Sequence, residues 1–411
     1  MMTTLARVFR LNLGLSAKKL ISVIVVVSNG FFWFFMSSMV LSKAEPSLGY
    51  YEYLLVSAIN LGATASAALV GAFLPRGLRN VRFLKVWMAI GAAVSIVPLV
   101  IDMTDLFGIA FVAFLWGVSL GIGMPASMEF LTEGTTVENR GRVGAVVFFA
   151  IFAGIFIMGM VLESLVYQMQ IITLGALRLA ALSVFILLSP AEMSIMKRAP
   201  SYLRILRERS FVLYFSAWIM FSLVFYVNVP IIMRQFGEDF ADSYAMIENM
   251  IAAAFALIGG FLCDTVGRKV VIISGFIMLG LGYAVLGVFP SSLAGWYFYT
   301  VADGIAWGML GVVFFMILWG DLASEMSSKK YFALGALPLL SSVLLQRLVG
   351  PDLAASVSVT TVFSLASFFL FLAVLPLVYA PETLPEKEIK ERELKGYIEK
   401  AKKMRGKKTW T

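Results

Sequence analysis

The sequence contains no histidine, a single cysteine (Cys263) and few charges, 14% of 411 residues. Each shortage excludes something. Histidine is the side chain that most often relays protons near neutral pH and ligates metals, so any proton chemistry must run through carboxylates. One cysteine allows neither an internal disulfide nor a metal site of the Cys-cluster kind, and no metal or other cofactor is expected. A Gly-x-x-x-x-Gly-Lys-Ser/Thr loop is missing, which argues against direct ATP drive within this chain. No nucleophile–base pair stands out, so an enzyme is disfavoured. Soluble domains carry about 25% charged residues. With 60% hydrophobic residues and a mean hydropathy of +0.89, this chain is solvated mostly by lipid. Its net charge of +8 does not indicate nucleic acid, because the basic residues sit in short loops and the tail, where membrane topology accounts for them.

Long apolar runs take up most of the chain. A bilayer span needs about 20 apolar residues, and twelve runs qualify: 20–42, 53–74, 84–104, 107–131, 143–166, 170–192, 210–234, 243–263, 270–289, 293–320, 331–349 and 358–380. They predict an all-α polytopic membrane protein. Residues 1–19 are weakly amphipathic (Leu5, Val8, Phe9 and Leu13 against Arg7 and Arg10) and are expected at the cytoplasmic interface. The run that follows is too long for a signal-peptide core and lacks a small-residue cleavage site. A basic cytoplasmic linker, 193–209, separates an N-terminal six-helix half, 20–192, from a C-terminal half, 210–380. The charged cytoplasmic tail, 381–411, is expected to form a solvent-exposed helix, since pairs such as Glu386–Lys390 and Glu391–Lys395 stand four apart in the favourable order.

With both termini in the cytoplasm, all but four of the 33 Lys and Arg fall on the inner side. The exceptions are Lys43, Arg234 and Arg347 outside and Arg178 within a span, while the outer loops carry acids such as Glu45, Glu52, Asp102 and Asp352. This alternation through all twelve runs is the positive-inside pattern of a multi-pass protein of the cell membrane.

The two halves repeat. Trp116-Gly117 in the fourth run is matched 191 positions later by Trp307-Gly308 in the tenth. Between the eighth and ninth runs lies Gly260-Phe-Leu-Cys-Asp264-Thr-Val-Gly267-Arg268-Lys269, and 189 positions before it a faded copy, Gly71-Ala-Phe-Leu-Pro75-Arg76-Gly-Leu-Arg79, with proline in place of the aspartate. Glycines let two helix termini approach closely, and a carboxylate there can meet the positive end of a helix. The pattern resembles the signature loop of the major facilitator superfamily, and the resemblance spans nearly the whole chain. It implies two six-helix halves related by a pseudo-twofold axis along the membrane normal. It also implies that the first, fourth, seventh and tenth spans line a central cavity. At matching motif positions it implies a gating role for Asp264, Gly267 and Arg268. Arg76, Arg79, Arg140 and Glu133 could join ion pairs that hold the halves together inside; alternatively, the arginines only set orientation. Pro381-Glu-Thr383 resembles the close of the last span in sugar-type and organic-ion-type members.

Ionisable groups within spans are expensive and point to function. Asp303 lies one turn before Trp307, so the two share a face. It is read as a cation partner or proton carrier, against a bracing acid. Glu248, beside Asn249, is either a second coupling acid or a vestibule residue in water. Glu163 and Arg178 come from consecutive spans joined outside and are expected to form a structural ion pair. Asn29 and Asn228 stand at similar depths in corresponding spans with aromatic neighbours, including Trp33 and Tyr226. A partly apolar solute is therefore expected among Asn29, Trp116, Tyr226, Asn228, Asp303 and Trp307.

Narrower subfamilies do not match. Gly117 stands where drug–proton antiporters of this superfamily carry an arginine ahead of Gly121-Ile-Gly123, and the fifth run has no proline. The expectation is thus a monomeric, proton-coupled secondary transporter of a small organic solute, partnered by the lipid bilayer and not by nucleic acid. The alternative is a non-transporting receptor or scaffold on the same fold.

Overall fold

The computed structural model describes residues 13–44, 48–74, 78–188, 198–225, 231, 238–323 and 326–385. These residues form twelve main helices: α1 (Ala17–Ser42), α2 (Tyr50–Gly71), α3 (Leu78–Ser95), α4 (Leu106–Gly134), α5 (Arg140–Glu163), α6 (Tyr167–Leu188), α7 (Arg209–Phe225), α8 (Glu238–Val266), α9 (Arg268–Val288), α10 (Leu293–Ala323), α11 (Lys329–Ser356) and α12 (Val359–Tyr379). Eleven of them are long and apolar enough to cross a membrane, and α7 is a shorter apolar helix as far as it is described. In hydrocarbon every backbone N–H and C=O must be satisfied within the chain, which is why apolar runs of this length become helices. Polar caps mark the starts. Ser16, Asp105, Ser292 and Ser358 accept hydrogen bonds from backbone N–H groups in the first turns of α1, α4, α10 and α12. The tenth helix is not uniform: Val312–Ile317 is a π-helical stretch.

Packing repeats between halves. Helix α2 packs on α4 as α8 does on α10, α3 on α6 as α9 on α12, and α1 on α5 and α6 as α7 on α11 and α12. Across the halves α2 meets α11 and α5 meets α8, two contacts that exchange under a twofold operation. The repeated glycines explain the tightest pairs. A Cβ on Gly117 would stand 2.4 Å from the Asn60 carbonyl oxygen of α2, and one on Gly308 would stand 2.5 Å from that of Ala252 in α8. Small residues let membrane helices approach this closely. The repeat is one of backbone contact, because the tryptophans before these glycines do different things.

The described chain ends lie on one face. The Leu13 carbonyl accepts a hydrogen bond from Asn139 (2.9 Å), and Glu382 accepts one from the Arg268 backbone N–H (2.9 Å). This face carries the basic loops and is called the basic face below. The linker crosses it: Tyr202 donates to the Leu69 carbonyl of α2 (2.7 Å), while Glu208 accepts from Tyr331 of α11 (2.6 Å).

Candidate functional site

A charge latch closes the basic face. Asp264, at the end of α8, is almost fully buried and points into the start of α5. Its carboxylate accepts the backbone N–H groups of Gly141 and Arg142 (both 2.9 Å) and the Arg142 Nε–H (3.0 Å), and it stands 3.5 Å from the Arg268 guanidinium. A carboxylate on the exposed amides of a helix N-terminus also meets the positive end of its dipole. The approach demands small residues: a Cβ on Gly260 would stand 2.3 Å from the Gly141 carbonyl oxygen. Gly267 opens α9 with φ +106°, a backbone conformation suited to glycine, and a Cβ there would stand 2.5 Å from Glu382.

The central carboxylate of the latch is Asp321, at the basic end of α10. It accepts from Arg268 Nε (2.9 Å) in its own half and pairs with Arg140 of the other half. The mirror arm is Lys329 of the C-terminal half, 3.4 Å from Glu129 of the N-terminal half, with Asn80 accepting from the same ammonium at 3.1 Å. Asp264, Arg268 and Arg140 were legible in the sequence as gate candidates, whereas Asp321 as the hub and Glu382 as acceptor for the start of α9 were not. Arg76 lies outside the described residues, as does the side chain of Arg79.

Between the halves lies a cavity of about 290 Å³, close to the lower end of the roughly 300–1,000 Å³ typical of small-molecule sites. Its walls come from α1, α2, α4, α5, α8, α10 and α11, and they are mostly apolar, with ten aromatic rings among them. Phe31, Phe34 and Phe35 project from α1, and Phe148 and Phe152 from α5, the latter two stacked at 4.4 Å. The π-helical stretch brings three consecutive residues, Phe314, Phe315 and Met316, to the cavity. Such widened turns are frequent at functional sites. Polar wall groups are few: Thr64, Glu248 and Asn249.

Of the residues expected to bind solute, Trp307 lines the cavity, and Tyr226 and Asn228 lie outside the described residues. Asp303 does not line it. It is fully buried between α8, α9 and α10, where one carboxylate oxygen accepts from Tyr244 (2.5 Å) and Tyr299 (2.8 Å) and the other has no hydrogen-bond partner among the described residues. Tyr283 of α9 packs on Tyr299 with ring centroids 4.9 Å apart. These tyrosines were missed, although Tyr299 stands four residues before Asp303 and so on its face. Glu248 stands one turn after Tyr244 on α8, and the Tyr244 hydroxyl donates to Asp303. This glutamate is the wall residue nearest to that buried cluster in chemistry.

Asn29 and Trp116 also lie away from the cavity. Asn29 and Trp33, four apart, face into the N-terminal half, on the opposite side of α1 from Phe31, Phe34 and Phe35. Trp116 packs edge-on to Trp33 (5.6 Å) and donates to the Val94 carbonyl (3.1 Å). The expected Glu163–Arg178 ion pair is not formed. Arg178 lies eleven residues into α6, roughly 16 Å along the helix, whereas Glu163 is exposed at the end of α5. The buried guanidinium instead donates to the Ser119 hydroxyl (2.7 Å) and the Asn29 carbonyl (3.3 Å) and stacks 3.8 Å over Trp33. Among the described residues it has no carboxylate partner.

Comparison with known proteins follows the same lines. The family model of the Major Facilitator Superfamily matches residues 20–343. Similar solved structures include a bacterial homologue of the iron transporter ferroportin in an outward-facing state (TM-score 0.68, 14% identity, 88% of this chain and 98% of that one). The proton:xylose symporter XylE aligns with TM-score 0.67 and 14% identity over 89% and 96% of the two chains. The human organic anion transporter MFSD10 gives 0.62 and 16% over 88% and 97%. At these identities the likeness shows the fold alone. No curated protein sequence matches. Twelve helices in two similarly packed halves, a latch joining those halves and a match over most of the sequence place this multi-pass membrane protein in the major facilitator superfamily.

Proposed function

We propose that the chain is a secondary active transporter that moves a small organic solute by alternating access, coupled to protons through Asp303 and Glu248. The observation that carries this reading is a cavity lined by both halves, which are joined at the basic face by ion pairs. Arg140–Asp321, Lys329–Glu129 and the Asp264 contacts cross between halves, so they can part without unravelling either one. In this reading residues 20–192 and 210–380 rock as units joined by 193–209, with Gly260, Asp264, Gly267, Arg268 and Arg140 serving as the gate.

Proton coupling is supported by the order of groups from the cavity wall inward: Glu248 lines the wall, Tyr244 stands one turn before it on α8, and Tyr244 donates to Asp303. Carboxylates and phenols are the groups left for this work in a chain without histidine. The basic face is read as cytoplasmic, by the excess of Lys and Arg there, in a monomer of the cell membrane. A panel of solutes screened for thermal stabilisation of the purified protein identifies a ligand, since binding raises stability by mass action. Proteoliposomes then test transport. An imposed proton gradient should drive accumulation of that solute, and Asp303→Asn should abolish the accumulation while leaving the thermal shift by the solute in place. Accumulation that is indifferent to the gradient and to Asp303→Asn would remove the coupling assignment.

A further inference from the structure

We infer that the cavity recognises a hydrophobic organic cation, held by Glu248 and the aromatic rings around it. The inference rests on the cavity being the solute site proposed above, and names the class of solute that its chemistry selects.

Glu248 is the one charged side chain among the described wall residues, and no lysine or arginine stands among them. The buried Asp303 is a second carboxyl behind the wall, hydrogen-bonded to Tyr244, which stands one turn before Glu248 on α8. The basic side chains described within the membrane-embedded core point elsewhere. Arg178 is on the far side of α1 under Trp33, Arg140, Arg268 and Lys329 are engaged with carboxylates of the latch, and Arg347 of α11 donates to Ser57 and lies over Tyr53 of α2. An anion would therefore find no cationic partner among the described wall residues, whereas a cation meets the Glu248 carboxyl as its counter-ion.

A neutral polyhydroxylated solute fits no better. Its hydroxyls need several partners, but the Thr64 hydroxyl donates to the Asn60 carbonyl (2.8 Å) and the Asn249 amide nitrogen to that of Ala245 (2.7 Å). Buried polar groups left without partners cost free energy. The wall offers instead eight phenylalanines and two tryptophans. Ring faces carry partial negative charge and attract cations, most strongly where water is excluded. Rings also accept apolar surface, so the preferred solute combines a diffuse positive charge with hydrophobic bulk.

The test is direct binding to the purified full-length protein, by equilibrium dialysis with tetraphenylphosphonium and with tetraphenylborate, ions of similar shape and opposite charge. The expected result is saturable binding of the phosphonium at least tenfold tighter than that of the borate. In Glu248→Gln, checked for monodispersity, the phosphonium affinity should fall tenfold or more. Borate binding as tight as phosphonium binding, no saturable phosphonium binding, or an unchanged affinity in Glu248→Gln would each overturn the assignment. The wild-type comparison of the two ions decides the matter if the variant does not fold. Flux in proteoliposomes is a separate measurement. Phosphonium binding without flux would keep the cation site and remove transport, whereas flux of some other solute without cation preference would do the reverse.

Discussion

Asp321→Asn should unlatch the basic face. The carboxylate is fully shielded from solvent and holds Arg140 of one half and Arg268 of the other. The substitution keeps the volume and removes the charge. Stranding one member of a buried ion pair costs roughly 3–5 kcal/mol. Here both arginines keep other acceptors: Arg140 retains the Thr132 carbonyl (3.0 Å) and Thr135 hydroxyl (3.1 Å), and Arg268 the Cys263 carbonyl (2.8 Å) and Asp264 (3.5 Å). The loss therefore belongs at the low end, about 3 kcal/mol. Once the face opens these groups are hydrated, so the penalty falls on the closed state. At 1.4 kcal/mol per tenfold, the closed-to-open ratio drops by about 100-fold.

The chain supplies its own reporter for that shift. Cys263, its one cysteine, is fully buried on α8 with its thiol in the field of Arg268, Asp264, Asp321 and Glu382. Its alkylation by N-ethylmaleimide tracks the open fraction while that fraction is small, so Asp321→Asn should accelerate it by up to about 100-fold. An unchanged rate in a variant that elutes and melts as a folded protein would refute the claim that Asp321 holds the face shut.

The N-terminal core gives a second test. A Cβ on Gly91 would lie 1.8 Å from Arg178 Nη1, so Gly91→Ala should cost about 1–3 kcal/mol by overpacking, read as a lowered melting temperature. Most of that cost should vanish in an Arg178→Gln background, and equal losses in both backgrounds would exclude this contact as the cause. Gly267→Ala forces a side chain into φ +106° and onto Glu382, worth about 1–3 kcal/mol for the backbone alone. It should lower the melting temperature and raise Cys263 alkylation together; a rise in neither would mean that the loop relaxes around the new methyl group.

The helices were legible because lipid imposes one length scale and one chemistry on every span, and the helix ends depart from the apolar runs by only a few residues in most cases. The longest departure is at α3, which spans Leu78–Ser95 instead of 84–104 and is followed by a 3-10 turn at Val97–Leu99 that holds Pro98; the start of α8 and the end of α11 also run past their apolar stretches, through Glu238 to Asp242 and Gly350 to Ser356, with polar residues included. The latch was legible residue by residue but not as pairs, since its partners come from opposite halves. Yet the repeat contained the rule: Glu129 and Asp321 stand 192 apart, and Arg140 and Lys329 189 apart, so each half's cation meets the other half's acid. The cavity was the least legible part. Composition cannot separate a phenylalanine facing lipid from one facing a chamber. Spacing does put Asn29 with Trp33 and Phe31 with Phe34 and Phe35, but it does not say which set looks inward. Arg178 invited pairing with the nearest acid in sequence, and helix length alone, eleven residues of α6, carries it out of Glu163's reach.

Two seams join the halves, and they are tied differently. The α2–α11 seam is bound at both ends. Arg347 donates to Ser57 (2.5 Å) and Tyr50 to the Arg347 and Leu348 carbonyls (3.3 Å each) at the outer end, while Lys329 donates to the Leu74 carbonyl (3.4 Å) at the basic end. The α5–α8 seam is bound through Gly141, Gly260 and Asp264 at the basic end, whereas further out Ile157 and Met160 of α5 and Ile247 and Met250 of α8 lie exposed. The α5–α8 seam therefore has fewer ties to break than the α2–α11 seam, whose contacts away from the basic face, Arg347–Ser57 and Tyr50, are independent of the latch. Asp264 and Glu248 sit on the same helix, sixteen residues or roughly 24 Å apart, at the gate and at the cavity wall. In the alternating-access reading proposed above, parting the Asp264 contacts frees the basic end of α8 from α5, and the same rigid helix carries Glu248 at the cavity wall, so a displacement at the latch reaches the cavity through one element.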